Sequence, residues 1–453
     1  MDPVVPVELD MACLVHVFSN LSANDLVVSI KLLNKEFQQY VKSILEDKAS
    51  KVAASADVPS WALSGLGLTS LDLGQKKQLM VAAARGGCLQ TLQWAQEQGC
   101  PFDCRVSDAA AEGGHLAVLQ WVKQEGCPWD HSTCGAAARG GQVEVLRWAL
   151  QNGCPGSSRV CFLAAASGSL ELLQCARTEG CPWDENTCAA AAGTGDLLML
   201  QWAREHGCPW DLGTCEAAAK GGHMAVLQWA REQGCPWGAD TCSAAARGGH
   251  LELLQWARSN GCTWSSYTCR CAAAGGHFAV LQWARQNGCD WNEYTCSAAA
   301  HQGDLEALQW ARANGCPWDS LACTAAARGG HLGVLQWLRR EGCPWGPDTC
   351  EAAAHHPLPL LQWARENGCE WDERTCAVAA GGGRLDVLQW ARDNGCPWDA
   401  RTCSAAAVRG QIKLLQWARE QGCPWDAEVL RQWAAAGGHL DISEWLKEQV
   451  CSK

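Results

Sequence analysis

The residues most able to do chemistry in this chain are its thirty cysteines. A thiolate can ligate a soft metal, enter a disulfide or attack an electrophile. Two series account for most of them. One is a Gly-Cys series from Cys100 to Cys423, and the second includes Cys134, Cys188, Cys215 and Cys403. Both advance by a near-constant step, so each cysteine is one rung of a ladder. Equivalent rungs on neighbouring helices would lie roughly 8–10 Å apart, beyond the ~7 Å Cα limit of a disulfide. Within one unit the spacing is Cys-x6-Cys, as in Cys181 and Cys188, and no histidine recurs at a zinc-like offset. Cys343, Cys350, His355 and His356 come nearest to a metal-ligating group. The expectation is of reduced thiols filling small buried positions, with no metal and no cofactor.

The 26 tryptophans form two more ladders, one in Leu-Gln-Trp triplets and one in Cys-Pro-Trp loops. Stacked indoles could hold a nucleobase or a sugar. A position filled in nearly every unit is instead expected to be inter-repeat core, each buried ring removing about 150–250 Å² from water. His115, His223, His250, His277, His331 and His439 all follow Gly-Gly and are read as turn residues that bond neighbouring turns. There is no nucleophile elbow, phosphate-cradling glycine loop or distinct carboxylate pair. No catalytic residue is named, and the chain is read as a non-enzyme.

These ladders require elements that repeat with them. Trp229, Trp256, Trp283, Trp310 and Trp337 stand 27 residues apart, and Cys175 takes the place due to a tryptophan. A 26-residue step leads to Trp363 and a 28-residue step to Trp445. A fixed short period marks a solenoid, in which each unit buries its apolar face against its neighbours. In Gly234 to Asn260, Asp240-Thr241 is expected to open a first helix, and Cys242 to Ala246 are small enough for close approach. Gly248-Gly249 makes the turn. Leu251, Leu253, Leu254 and Ala257 then share a face of a second helix, which Gly261 ends. The predicted architecture is all-α: a helix-turn-helix solenoid of about 14 repeats over residues 75–453, a linker over 47–74, and a small helical head over 1–46.

The string Ala-Ala-x-Gly-Gly-His-Leu-x-x-Leu, followed by Asn-Gly-Cys, resembles an ankyrin repeat. Its unit is shorter than an ankyrin unit, and the deficit falls after Trp-Asp, where that family carries its β-hairpin finger. Residues 5–43 resemble an F-box through Val5-Pro6-Val7-Glu8-Leu9, Val17-Phe18, Leu21, Asp25-Leu26 and Lys35-Glu36-Phe37. That resemblance implies docking on a Skp-type adaptor of a cullin ubiquitin ligase through Pro6, Leu9, Phe18, Leu21 and Leu26. The alternatives are a head that merely covers the first repeat, and a plain scaffold without a ligase link. Chains resembling this one are also grouped with sphingomyelin phosphodiesterase-related proteins, a grouping that implies a metal-and-water centre for which no residue stands out.

A net charge of −12 gives the expectation that nucleic acid and anionic membrane surfaces are not partners. No apolar run approaches the ~18 residues of a membrane span, and the first twenty residues lack a secretory pattern. A monomer in the cytoplasm is expected, with the nucleus as the alternative. The expected partner is a protein on the solenoid face. The positions that change from unit to unit flank the first helix, and those offered as partner-binding are Tyr267, Tyr294, Arg374, Arg401, Arg139, Lys220, Arg247 and Arg328. Tyrosine and arginine are the types that most often anchor an interface. The competing face carries the second-helix arginines Arg231, Arg258, Arg285 and Arg312.

Overall fold

The computed structural model describes residues 73–97 and 99–451. The head over 1–46, with Pro6, Leu9, Phe18, Leu21 and Leu26, lies outside the described residues, as does the 47–74 linker up to residue 72. Among the described residues there are 28 helices and no strand. The chain divides into two compact units between Pro236 and Trp237. The first unit runs as six helix pairs, from Leu73–Arg85 with Leu89–Glu97 to Leu212–Gly221 with Met224–Glu232. The second runs as eight, from Ala239–Gly248 with Leu251–Ser259 to Ala427–Ala436 with Leu440–Cys451. Each unit is a solenoid of such pairs.

The first helix of a pair starts on an aspartate, but not the one expected. In Asp319, Asp372 and Asp399 the carboxylate of the Trp-Asp step accepts the backbone N–H two residues on, at 2.9–3.0 Å. This satisfies one of the orphan donors of a helix start. In the Gly234–Asn260 repeat the cap is Gly238, with no side-chain bond, and Asp240 is already helical. Thr241 is fully buried with no partner for its hydroxyl. The expected opening at Asp240-Thr241 is therefore corrected to Gly238. That repeat lacks the cap aspartate which most others carry.

Packing rests on small residues. Within each unit the first helices stack on one another far more closely than the second helices do, because their touching faces are Ala, Cys and Thr. Ala245, Ala246 and Cys242 are completely buried, and Leu254 and Ala257 of the second helix close the same core. Glycines end both helices. Gly249 has φ 79° and Gly261 φ 84°, left-handed values at which a side chain is strained, and the next N–H folds back in each case: His250 onto Ala245 O and Cys262 onto Ala257 O, both 3.0 Å.

The tryptophans are not the core. Those of the two ladders are, among the described residues, half-buried and meet in edge-to-face pairs such as Trp237–Trp256, with centroids 5.7 Å apart. A second-helix arginine then covers the next loop ring, as Arg258 covers Trp264 at 4.1 Å. The expectation of an indole core is corrected by the helix geometry. The Leu-Leu-Ala triad takes the inward arc of a nine-residue helix, leaving Trp256 on its shoulder. Periodicity showed that the position is constrained, not that it is enclosed.

Most of the histidines that follow Gly-Gly bond neighbouring turns. The imidazole of His331 donates to His301 O at 3.0 Å and that of His115 to Arg85 O at 2.9 Å, in each case near the open carbonyl end of the preceding first helix. The ring needs the glycine it lies against, since a Cβ on Gly303 would fall 2.6 Å from His331.

The ladder cysteines are buried free thiols. They also bond. Cys208 Sγ donates to Asp184 O at 3.5 Å, the carbonyl of a cap residue 24 positions earlier. Cys188, 20 positions before Cys208, places its thiol against that same loop cysteine. Burial pushes the Cys181 thiol up to about 11 and Cys161 up to about 12, so both stay protonated near neutrality. Cys88, outside both ladders, is buried as well.

Candidate binding surface

One face of the first helices carries the variation. The changing positions fall at i, i+3 and i+7, which an α-helix places in one stripe. In the second unit these stripes include Tyr267-Arg270-Ala274, Tyr294-Ser297-His301, Arg374-Ala377-Gly381 and Arg401-Ser404-Val408, all exposed or half-buried. Stacking first helix on first helix sets these stripes side by side.

Toward the end of the second unit this face holds an open groove of about 800 Å³. It crosses the helices Pro347–Ala353, Glu373–Gly381, Ala400–Val408 and Ala427–Ala436. Small or short residues (Ala377, Gly381, Ser404, Ala405 and Val408) leave the space, Glu351 and His355 come from the first of the four helices and its end, and Trp433 comes from the last. Trp433 is 49% exposed. The groove begins at the shortened repeat, whose first helix has 7 residues and is followed by His355-His356-Pro357 instead of Gly-Gly-His. Partial burial, with the charge of neighbouring His356, lowers the pKa of His355.

The sequence-derived residues divide into three groups. Arg374 and Arg401 line the groove but are held within the chain. Arg374 meets Asp348 and Glu351 at 2.7 Å and Asp372 at 2.8 Å, and its bonds to Asp372 and Asp348 push its pKa up. Arg401 meets Glu373 at 2.6 Å and Asp399 at 2.8 Å. Tyr267, Tyr294, Arg247 and Arg328 are exposed on the preceding stripes. Tyr267 and Tyr294 flank Arg270, whose guanidinium carbon lies 5.6 and 5.3 Å from their centroids, and Arg247 donates to the Tyr267 hydroxyl at 3.3 Å. Arg139 and Lys220 lie in the other unit; both are exposed, and Arg139 pairs with Glu112 at 3.3 Å.

The competing face is occupied by structure. Arg285 and Arg312 lie over Trp291 and Trp318 at 4.5 and 4.3 Å, and they donate to Cys289 O and Cys316 O at 3.2 and 3.3 Å. Arg231 and Arg258 likewise donate to Cys235 O and Cys262 O. Sequence reasoning missed Arg270 and Trp433. Arg270 stands at the middle stripe position, and Trp433 falls off both tryptophan ladders, which is the signal that could have found it. Cys343, Cys350, His355 and His356 are not gathered: the cysteines are in the core and His356 donates to Arg328 O at 2.9 Å. Among the described residues no three His, Cys, Asp or Glu side chains form a metal-ligating group.

No protein-family model matches the chain, and no curated protein matches it. Among solved structures it is similar to the pentatricopeptide repeat protein PPR10 in complex with an 18-nt psaJ RNA element, at 13% identity and TM-score 0.36, over 95% of this chain and 79% of that one. PPR10 from maize matches at 15% identity and TM-score 0.32, over 96% and 73%. The human ASB11 ankyrin repeat domain matches at 16% identity and TM-score 0.29, over 34% of this chain and 84% of that one. The chain is a helical repeat protein, and the ankyrin resemblance is not singled out among these neighbours. The expectation that nucleic acid is not a partner is withdrawn, because net charge alone does not exclude it. The physical reason lies in the charge argument itself. Net charge is a whole-chain sum, whereas a ligand meets one face, and here Arg247, Arg270 and Arg328 are exposed together.

Proposed function

We propose that this chain is a binding scaffold whose partner is a protein held along the first-helix face. The observation that carries the reading is the contrast between two surfaces. On the second-helix side nearly every repeat spends its arginine and two tryptophans on the same internal stack. On the first-helix side the stripe residues differ from repeat to repeat and surround a groove with an exposed Trp433. A surface that varies while its support stays constant is suited to recognising one partner.

A photo-crosslinking residue at position 408, in the groove, should capture a defined partner, while the same residue at position 309, on a second helix, should not. Trp433→Ala should reduce capture at least tenfold, about 1.4 kcal/mol, with no fall in melting temperature. Capture from position 309 alone would overturn the reading. A narrower form of it is that the scaffold is the substrate-recruiting arm of a cullin-type ubiquitin ligase, docked on a Skp-type adaptor through the F-box-like head. It is supported by the sequence pattern at Pro6, Leu9, Phe18, Leu21 and Leu26. The plain scaffold is its alternative, and the phosphodiesterase grouping has no observation in its favour.

A further inference from the structure

Resting on that reading of the first-helix face, we infer that the stripes from Ala239–Gly248 to Ser320–Arg328 recognise a short acidic segment of the partner protein in extended conformation. The face is electrostatically divided. In the groove, Arg374 and Arg401 are neutralised by five carboxylates, those of Asp348, Glu351, Asp372, Glu373 and Asp399. On the preceding stripes none of the ion pairs among the described residues involves Arg247, Arg270 or Arg328. All three are exposed.

The tyrosines organise two of these charges, Arg247 and Arg270. Arg270 is held between Tyr267 and Tyr294, and the Tyr267 hydroxyl takes a bond from Arg247. The ring contacts of Arg270 leave its N–H donors available, the arrangement that suits bidentate capture of a carboxylate, while one terminal nitrogen of Arg247 is shared between the Tyr267 hydroxyl and Cys271 Sγ, both at 3.3 Å. Tyr267 and Tyr294 remain 42% exposed, and Leu321 occupies the same slot in the next repeat at 40%. A ligand therefore meets a row of apolar or aromatic surfaces alternating with cations.

The length of the segment follows from the spacing. Neighbouring helices pack about 8–10 Å apart, so three steps span roughly 24–30 Å. An extended chain covers that in about eight residues at ~3.3 Å each. Acid stands at both ends of the stretch, with Asp240 on its first helix and Asp348 and Glu351 after it, and Glu293 lies within it beside Tyr294. A short acidic segment ends inside these limits. A polyanion that continued past them would run onto carboxylates, which favours a peptide over a nucleic-acid strand at this place.

The test uses the full chain and three labelled probes: an eight-residue Glu/Asp peptide, the same peptide with Gln/Asn, and an eight-nucleotide oligo-U RNA. Fluorescence anisotropy should show the acidic peptide binding at least tenfold tighter than its amide counterpart. Arg270→Glu should weaken it at least tenfold, and Lys413→Glu, on the second helix Ile412–Glu420, less than twofold. Melting temperatures of both variants would show that the fold is kept. Equal binding of acidic and amide peptides, or indifference to Arg270→Glu, would overturn the inference. So would RNA binding tighter than the acidic peptide through the same arginine. Crosslinking from position 408 reads the scaffold function separately, so capture there without acidic-peptide binding would sink only this inference.

Discussion

At the residue scale the most consequential group is the aspartate of the Trp-Asp step. In Asp319 its carboxylate takes the Leu321 N–H at 2.9 Å, and Asp319→Ala should cost about 1 kcal/mol, read as a lower denaturant midpoint for the second unit. The same chemistry predicts an acid limb. Hydrogen bonds from Ser132 hold the Asp130 carboxyl below its usual range, so its contribution is present above the unfolded pKa near ~3.9 and is lost as pH falls through the lower folded value. Asp130→Asn should flatten the stability change below about pH 4, and an unchanged acid limb would refute the assignment. Thiols give a third reading. Cys161 and Cys181 are buried and raised to about 12 and 11, so iodoacetamide at pH 8 should spare them in the native chain. Cys104, half-buried and outside both ladders, should label first. Much of this was legible in the sequence, including buried cysteines and bonding histidines. The cap was misplaced because the repeat chosen as typical has Gly238 where aspartate usually stands. The thiol pairing was missed because its 20-residue spacing joins a helix to the loop that follows its partner helix, a contact that only the closed pair creates.

At the scale of the element, the helix pairs and their turns followed from period and glycine placement, because local backbone rules decide both. What the period could not give is which repeats are weak or which stripe is open. The pair Ser158–Ala166 with Leu170–Thr178 has Gly156 and Cys175 where tryptophans are due, and so lacks the edge-to-face pair that its neighbours make at Trp129–Trp148 and Trp183–Trp202. The side chain of its cap residue Ser157 accepts no bond from the helix, and its hydroxyl is buried without a partner. Repeat arrays open first where a unit and its interfaces are weakest. Amide exchange should therefore be faster over residues 155–180 than over 182–207 of the same unit, and equal protection would show that close packing of Gly156 and Cys181 compensates. The groove follows from a second irregularity, the shortened repeat at Pro347–Ala353. Its 26-residue step was visible in the sequence, but the space beside it depends on Ala377, Gly381 and Ser404 from the next two repeats, which a single-repeat pattern does not reveal.

At the scale of the whole molecule, the remaining question is what residues 1–46 do for the repeats, and solenoid energetics supplies a clean separation. Each repeat is stabilised by itself and its immediate neighbours, so a head that serves only as a cover should affect the nearest pair and little else. Removing residues 1–46 would then speed amide exchange in Leu73–Arg85 and Leu89–Glu97 without any loss of a binding activity. A head that docks an adaptor predicts a different pattern. Leu9 and Phe18 would face the adaptor or hold the surface that does, so Leu9→Ala with Phe18→Ala should abolish co-precipitation of a Skp-type adaptor. The same double variant should leave exchange over residues 104–232 and crosslinking from position 408 unchanged. Measured together, adaptor binding and exchange in the first pair distinguish the two roles. Loss of adaptor with unchanged exchange supports the ligase arm. Failure of the unmodified chain to bind any Skp-type adaptor would leave the scaffold in place and remove its ligase link.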